Sequence, residues 1–314
     1  MTTPTPNPSS PGESFRAPRT VTPMSVPALN YDRLRFPLTH DQLSSLVRSA
    51  LEEDQAFNDV TTIATVLSSR RARASLVSRQ AGCIAGVPLA LEAFRLLDPK
   101  ISMRVDVEDG TRVQKGSTVL YMTGHARALL SAERTALNFM QRLSGIASLT
   151  AKFVDAVKGT KARILDTRKT TPGWRKLEKY AVRAGGGVNH RLDLARSVLI
   201  KDNHLKAVDG DVAVAVRRVR ELAPPGAKVE VECDSLDQVR AAVEAGADEV
   251  LVDNMPPDAI RQAVEIVAGR ATVEASGGVT LDTVRAIAET GVDFISVGAL
   301  THSPPALNLA LDFD

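Results

Sequence analysis

The sequence predicts an α/β protein whose C-terminal half is a parallel β/α barrel, and three observations carry that reading. From residue 160 onward, short apolar runs alternate with amphipathic helical patterns. The last four runs start 21, 22 and 22 residues apart, about the length of one strand, one helix and two loops. Right-handed crossovers between parallel strands wind such units toward a barrel. The runs also end, one after another, in ionisable or small polar residues, on the side where β/α barrels keep their chemistry.

The elements follow in chain order. Residues 1–36 are rich in Pro, Ser and Thr and lack the apolar core of a signal peptide, so they read as a disordered tail. "LTHDQLSSLVRSALEED" reads as a helix with Thr39 at its N-cap and Leu43, Leu46, Val47 and Leu51 on one face. Residues 72–125 alternate in strand fashion through "RASLVSR", "AGCIAGV" and "DGTRVQKGSTVLYMTGH". A long helix follows, "ARALLSAERTALNFMQRLSGIASL", with Leu130, Leu137 and Met140 defining a face that also contains Arg134. An arginine buried alone on such a stripe is costly, so it either meets a core acid or is presented to an anionic ligand. The barrel runs are "RILD", "VLIKD", "KVEVEC", "EVLVDN", "ATVEAS" and "DFISVG". Six strands leave a barrel that is incomplete or has further strands the pattern hides. Ser235 with Gln238 resembles a capping box, Pro256 and Pro257 fit a helix start, and Thr280 fits an N-cap.

Composition narrows the function. The chain has 314 residues, 44% hydrophobic and 24% charged, the make-up of a globular protein of about two domains. No apolar run approaches the ~18 residues that span a bilayer. Cys83 and Cys233 are too few and too far apart for a disulfide framework or a zinc site, and read as buried thiols of a cytoplasmic protein. Net charge is +2, yet residues 161–206 hold twelve Lys and Arg against four Asp and Glu. That asymmetry describes a focused positive cleft. Only Trp174 and Tyr180 there could stack on bases, so a small polyanion is expected rather than nucleic acid.

The strand ends carry Asp166 to Lys169, Lys201–Asp202, Glu232, Asp253–Asn254, Ser276, and Ser296 to Gly298. Glu230 and Glu232 lie two residues apart and share a side of their strand, which places Val229 and Val231 outward if that side is the interior. Glu232 and Asp253 could together hold a hard divalent cation, or each could pair with Lys201 or Arg168. "EASGGV" and "SVGALTHS" end strands in glycine, so backbone N–H groups can approach a phosphate. Lys201 has a rival reading as a Schiff-base lysine, which would leave the acid pair and the arginines unexplained.

The stretch "DTRKTTPGWRKLEKYAVRAGGGVNHRLDL" resembles the signature of quinolinate phosphoribosyltransferases, the decarboxylating nicotinate-nucleotide pyrophosphorylases of NAD synthesis. The likeness continues through "SAERTALNFMQRLSGIA", "VEVE", "EAGADEVLVDNM", "VEASGGV" and "GVDFISVGALTHS", nearly everything after about residue 40. Trp174 stands where leucine is usual, and Asn58 where glycine is common. The resemblance implies an N-terminal α/β sandwich over 37–145, an open, incomplete β/α barrel over 146–302, and a segment 303–314 packing back on the first domain. It implies a homodimer or a multiple of dimers, acting on quinolinate and phosphoribosyl pyrophosphate with Mg2+. A related acceptor, as in molybdenum-transport-associated relatives, is the alternative.

By the same resemblance, Thr167, Arg168, His190, Arg191 and Lys201 hold quinolinate, joined by Arg134 of the partner subunit. Lys169 and Lys201 neutralise the donor phosphates, and Glu232 and Asp253 place the magnesium. These four form the catalytic set. Ser276, Gly277 and Gly278, with Val297, Gly298 and Ala299, cradle the 5-phosphate. Gly185 to Gly187 let the backbone turn close to the ligands. Arg175, Lys176, Lys179 and Arg183 form the opposite, solvated face of a helix whose other side is Trp174, Leu177, Tyr180, Ala181 and Ala184, or touch acids of the partner.

Overall fold

Thr39 and Gln42 exchange hydrogen bonds at the start of the first helix, α1 (His40–Glu53): the Gln42 amide donates to the threonine hydroxyl at 3.3 Å, and the glutamine oxygen accepts from the Thr39 N–H at 3.2 Å. This reciprocal cap satisfies two of the amides that a helix N-terminus leaves free. Val47 and Leu51 are buried, as their spacing requires. The computed structural model describes residues 34–195, 197–223 and 226–313, so most of the tail expected over 1–36 lies outside the described residues. Residues 34–36, assigned to that tail, pack instead: the Phe36 ring meets Tyr180 edge-on at 5.2 Å, and the Arg35 carbonyl accepts from Arg183 at 3.0 Å.

A short helix, α2 (Val60–Thr65), capped by Asp59, leads into an antiparallel sheet. Its strands are β1 (Arg71–Ser78), β3 (Ser102–Val105), β5 (Thr118–His125) and the last strand of the chain, Leu309–Phe313. A second pair joins β2 (Gly82–Cys83) to β4 (Arg112–Val113). The strand pattern expected across 72–125 is broken by a helix, α3 (Val87–Leu97), and this is a correction. Every residue from Val87 to Phe94 is buried, because α3 packs against both α1 and the long helix that follows. Only Glu92 and Arg95 interrupt its apolar run, and a short run of that kind is not separated from a buried strand by pattern alone. Its cap is also remote: Gly86 and Val87 donate their N–H groups to the carboxylate of Asp109, each at 3.0 Å.

That long helix, α4 (Ala126–Ala156), has 31 residues and extends past the 24 read from sequence, roughly 46 Å at 1.5 Å per residue. It links the antiparallel sheet to the barrel. Its buried stripe runs through Leu129, Ala132, Ala136, Met140 and Leu143, whereas Leu130 is 36% exposed and Arg134 is exposed. Arg134 therefore lies beside the apolar stripe, not in it.

The barrel strands are β6 (Arg163–Leu165), β7 (Val198–Ile200), β8 (Val229–Cys233), β9 (Glu249–Asp253), β10 (Thr272–Ser276) and β11 (Phe294–Ser296). The intervening helices are α5 (Arg175–Ala184), α6 (Asp202–Lys206), α7 (Val212–Leu222), α8 (Leu236–Glu244), α9 (Pro257–Val267) and α10 (Val284–Ala288), with α11 (Ala299–His302) after the last strand. All six strands are parallel, in the order β6-β11-β10-β9-β8-β7. β6 and β7 sit at opposite edges, so the barrel is open between them. A single bridge, Leu165 to Val188, lays the segment after the glycine tract along β6 in that gap.

Alternation sorts the strand residues as expected. Val229 and Val231 are fully buried toward the helices, and Glu230 and Glu232 point into the barrel, toward His190 and Lys201. Two cap assignments shift. The Ser235 hydroxyl caps the Gln238 amide, but the Gln238 side chain accepts from Asp234, one residue earlier. Thr280 opens a turn before α10, whose N-cap is Thr283.

Candidate active site

One cavity of about 750 Å³ opens at the C-terminal ends of the strands, and every barrel strand contributes to it. Thr167, Arg168 and Lys169 follow β6, Lys201 follows β7, Glu232 ends on β8, and Asp253 and Asn254 lie at the end of β9. Ser276 to Gly278 follow from β10, and Ser296, Gly298 and Ala299 from β11. His190 and Arg191 enter from the segment beside β6. Of the residues assigned to ligands by the resemblance, Val297 and Arg134 are outside the lining, as are Asp166, Asp202 and Glu230 among the polar residues read from the strands. Val297 is buried below it, its N–H on the Leu165 carbonyl at 3.0 Å. Arg134 is on the outer face of α4.

The β6 side of the cavity is built on buried charge. Asp166 is wholly buried, and its carboxylate accepts from Lys179 Nζ, from Asn189 Nδ2 at 2.6 Å and from the His190 N–H at 2.9 Å. Lys179 also donates to the His190 carbonyl at 3.0 Å. Burial pushes the Asp166 carboxyl up and the Lys179 ammonium down, each opposed by the other's charge. Lys179 is thus not on a solvated face, which corrects the expectation for α5. Arg175 also turns toward the site loops, donating to Thr170 Oγ1 at 3.0 Å and to the Leu192 carbonyl at 3.3 Å. Glu178, fully buried, accepts from the Thr171 N–H and hydroxyl at 3.1 and 2.9 Å and from Arg142 at 2.8 Å. A helical wheel groups these residues, but the loops that cover them come from elsewhere in the chain.

The glycine tract is required by contact. A Cβ on Gly185 would stand 2.4 Å from the Ala147 carbonyl of α4, and Gly186 has φ +90°. At the β10 end, Gly277 has φ +91°, and its Cβ would stand 2.3 Å from Asn254 Oδ1. The backbone there can therefore lie close to its neighbours and to a ligand.

On the β7–β9 side the contacts are looser. Lys201 Nζ pairs with Glu232 Oε2, the lysine side chain 44% exposed. That is the ion-pair alternative weighed for Glu232, and it engages Lys201 with a carboxylate, which the Schiff-base reading left unexplained. Asp253 accepts from the Asn254 side chain at 2.7 Å and otherwise faces the cavity. Two carboxylates on neighbouring strand ends, bordering an open cavity, fit a hard divalent cation that keeps its waters. Lys201 would then release Glu232 to it.

Beneath the mouth, His190 Nε2 stands 3.2 Å from Glu230 and 3.6 Å from Glu274. Its Nδ1 accepts the Arg191 N–H at 2.7 Å, so the ring proton belongs on Nε2 and points inward. An imidazole and two carboxylates within 4.8 Å have the composition of a metal centre, but a protonated Nε2 is not free to ligate. Burial, then the Glu230 charge, push Glu274 up to about 8. Burial pulls His190 down, but the hydrogen bond to Glu230 and the charge of Glu274 outweigh it and leave it raised. Burial, then Arg168, lower Arg191. Glu274 and His302 were missed from sequence. Glu274 stands two residues before Ser276, the same alternation that identified Glu230 from Glu232.

A β/α barrel open on one side, with guanidinium, ammonium and exposed amide groups converging from its strand ends, defines an enzyme that handles a small polyanion. Comparison with known proteins makes this particular. The profile of the quinolinate phosphoribosyl transferase N-terminal domain matches residues 59–144, and that of its C-terminal domain residues 146–312. The nicotinate-nucleotide pyrophosphorylase [carboxylating] of Mycobacterium leprae is 47% identical over 280 residues, covering 87% of this chain and 97% of the relative. The probable enzyme of that name from Bacillus subtilis is 41% identical over 275 residues, 88% and 94% of the two chains. The solved nicotinate-nucleotide pyrophosphorylase of Francisella tularensis superposes with a TM-score of 0.83 at 39% identity, covering 89% of this chain and 98% of that one. The chain belongs to the quinolinate phosphoribosyl transferase family.

Proposed function

We propose that the protein transfers the 5-phosphoribosyl group of phosphoribosyl pyrophosphate to the ring nitrogen of quinolinate, releasing pyrophosphate and CO2 and forming nicotinate mononucleotide. The supporting observation is the cavity itself: Arg168, Lys169, Arg191 and Lys201 line it together with Glu232 and Asp253, in a chain matched by the family from residue 59 to 312. Quinolinate brings two carboxylates, and the donor brings a phosphate and a pyrophosphate. The four cations answer that charge, and a guanidinium fork suits a carboxylate.

In this reading Arg168 and Arg191, with Thr167, His190 and Lys201, hold the acceptor with its nitrogen toward the sugar. Ser276 to Gly278 and Gly298 with Ala299 surround the 5-phosphate with backbone N–H groups, while Val297, whose N–H is taken by the Leu165 carbonyl, supports that turn from below. As the bond from the anomeric carbon to pyrophosphate breaks and the bond to nitrogen forms, Lys169 and Lys201 stabilise the charge gathering on the leaving group. Glu232 and Asp253 would hold Mg2+, which supplies further neutralisation of pyrophosphate when bound. The alkylated ring then loses the adjacent carboxylate as CO2, the electron pair staying on that ring carbon as a carbanion that the neighbouring pyridinium charge stabilises until a proton is added there.

A dimer sharing its sites belongs to the same proposal. Among the described residues, Arg134 has no hydrogen bond or ion pair. One turn before it on α4, Leu130 is 36% exposed, and Val60, Ile63 and Leu67 in and after α2, which packs on α4, are exposed apolar residues as well. A patch of such residues marks an association surface. Arg134→Ala should fold normally and lose activity, and mixing it with an Arg191→Ala chain should restore part of it; an unimpaired Arg134→Ala enzyme would remove the residue from the site. A cytoplasmic location fits two unpaired buried thiols, which burial pushes up to about 11 at Cys83 and about 12 at Cys233.

The test of the reaction supplies phosphoribosyl pyrophosphate and Mg2+ with quinolinate in one tube and nicotinate in another. Nicotinate mononucleotide and CO2 in equal amounts from quinolinate alone are expected. Product from nicotinate, or none from either in folded protein, would overturn the assignment.

A further inference from the structure

The Asp166–Lys179 pair is placed where it costs stability. Both side chains are essentially excluded from water, and an apolar pair of similar volume would spare their desolvation. Every further contact they make goes to one segment. Asn189 Nδ2 bridges the Asp166 carboxylate at 2.6 Å and the Lys179 carbonyl at 2.8 Å, the His190 N–H donates to Asp166, and Lys179 returns a bond to the His190 carbonyl.

Besides these bonds the segment is held by the His190 ring, 3.2 Å from Glu230, and by Arg175 on the Leu192 carbonyl. Its backbone at residue 190 is bonded to the pair alone. It lies in the gap between β6 and β7 with one bridge at Val188, follows a glycine tract without side chains, and precedes residues 191–195, which form no helix or strand. Beyond it, the Arg191 N–H donates to His190 Nδ1 at 2.7 Å, and its guanidinium makes one hydrogen bond, to the Ser197 carbonyl at 3.1 Å. The position of Arg191 in the cavity is therefore set by how residues 189 and 190 are seated.

We propose that Asp166 and Lys179 are positioning residues that seat Asn189–His190 so that Arg191 meets a carboxylate of the acceptor. The inference rests on the reading of Arg191 as part of the acceptor end of the site. The pair touches no substrate. It replaces the missing strands of the open barrel at the point where a ligand-binding residue must be fixed to within a fraction of an ångström.

The test uses Asp166→Asn/Lys179→Met, which removes both charges at similar volume, and Asn189→Ala, which leaves the pair intact and removes the bridge. KM for quinolinate should rise about tenfold or more in the double variant and less in Asn189→Ala, while KM for phosphoribosyl pyrophosphate moves less than about threefold. Amide hydrogen exchange at residues 189–191 should accelerate in both. Equal rises in the two KM values, or exchange as slow as in the parent, would overturn the proposal. If the double variant does not fold, Asn189→Ala decides by the same two readouts. Arg191→Ala separates the two claims. If it leaves the quinolinate KM unchanged, the acceptor reading fails, and the exchange measurement still decides whether the pair seats the segment.

Discussion

The two sides of the cavity are built by opposite rules. On the β6 side the cations behind the cavity wall are tied down: Lys179 to Asp166 and the His190 carbonyl, Arg175 to Thr170, Arg142 to Glu178. Among the described residues, only Arg168 and Lys169 of that side reach the cavity with no partner for their side chains. On the β7–β9 side, Lys201 and Glu232 pair at the cavity edge and Asp253 holds only its neighbour Asn254. The fixed side suits recognition of a rigid planar acceptor, whose carboxylates do not change position. The loose side suits a leaving group whose charge grows and departs, since Lys201 and Glu232 can exchange each other for ligands. Preorganisation and exchangeability are thus separated across about one cavity width.

The comparison predicts that substitutions on the two sides differ in kind. On the loose side, Glu232→Gln with Asp253→Asn should lower kcat by about 10²- to 10³-fold, the scale of losing preorganised electrostatic stabilisation, with Tm nearly unchanged. A matching fall in Tm would mean that these carboxylates are structural. On the fixed side, Glu178→Ala should destabilise by about 3 kcal/mol, because it strands Arg142 and the Thr171 N–H beside a buried gap. Denaturant unfolding measures it. A loss below about 1 kcal/mol would show that the β6 side is less fixed than its hydrogen bonds imply.

What sequence could and could not reveal divides along similar lines. The last four barrel strands were legible because their spacing repeats, the first two because short apolar runs alternate with helical patterns, and the cavity-lining ends because polar residues stop apolar runs. Helix α3 was not, since it is covered on all sides and capped by Asp109, 23 residues away from Gly86. Lys179 was assigned to solvent because helical periodicity groups residues on a face without naming what covers that face. The cover is Asp166 and the 189–190 segment, brought together only by the open barrel. Glu274 obeys the same alternation as Glu230, but its importance depends on His190 pointing inward, which no local pattern encodes.

The smallest expected effect concerns the layer beneath both sides. Glu274 is pushed up from 4.5 to about 8 by burial and by Glu230. The folded protein therefore binds a proton that the unfolded chain releases above pH ~4.5. Stability should be fully supported by that proton below the unfolded value and should decline as pH rises through about 8. Between pH 7 and 9 this amounts to about 1 kcal/mol. Glu274→Gln keeps the shape and removes the titration, so its unfolding free energy should be flatter over that interval and higher than the parent's at pH 9. The same substitution should leave the quinolinate KM of the fixed side unaltered at pH 7, where the Glu274 carboxyl is already mostly neutral. An unchanged pH slope would mean that Glu274 is ionised in the folded state. His190 would then face two carboxylate charges at once, and the inward-pointing Nε2 proton would be held more tightly than a neutral Glu274 allows.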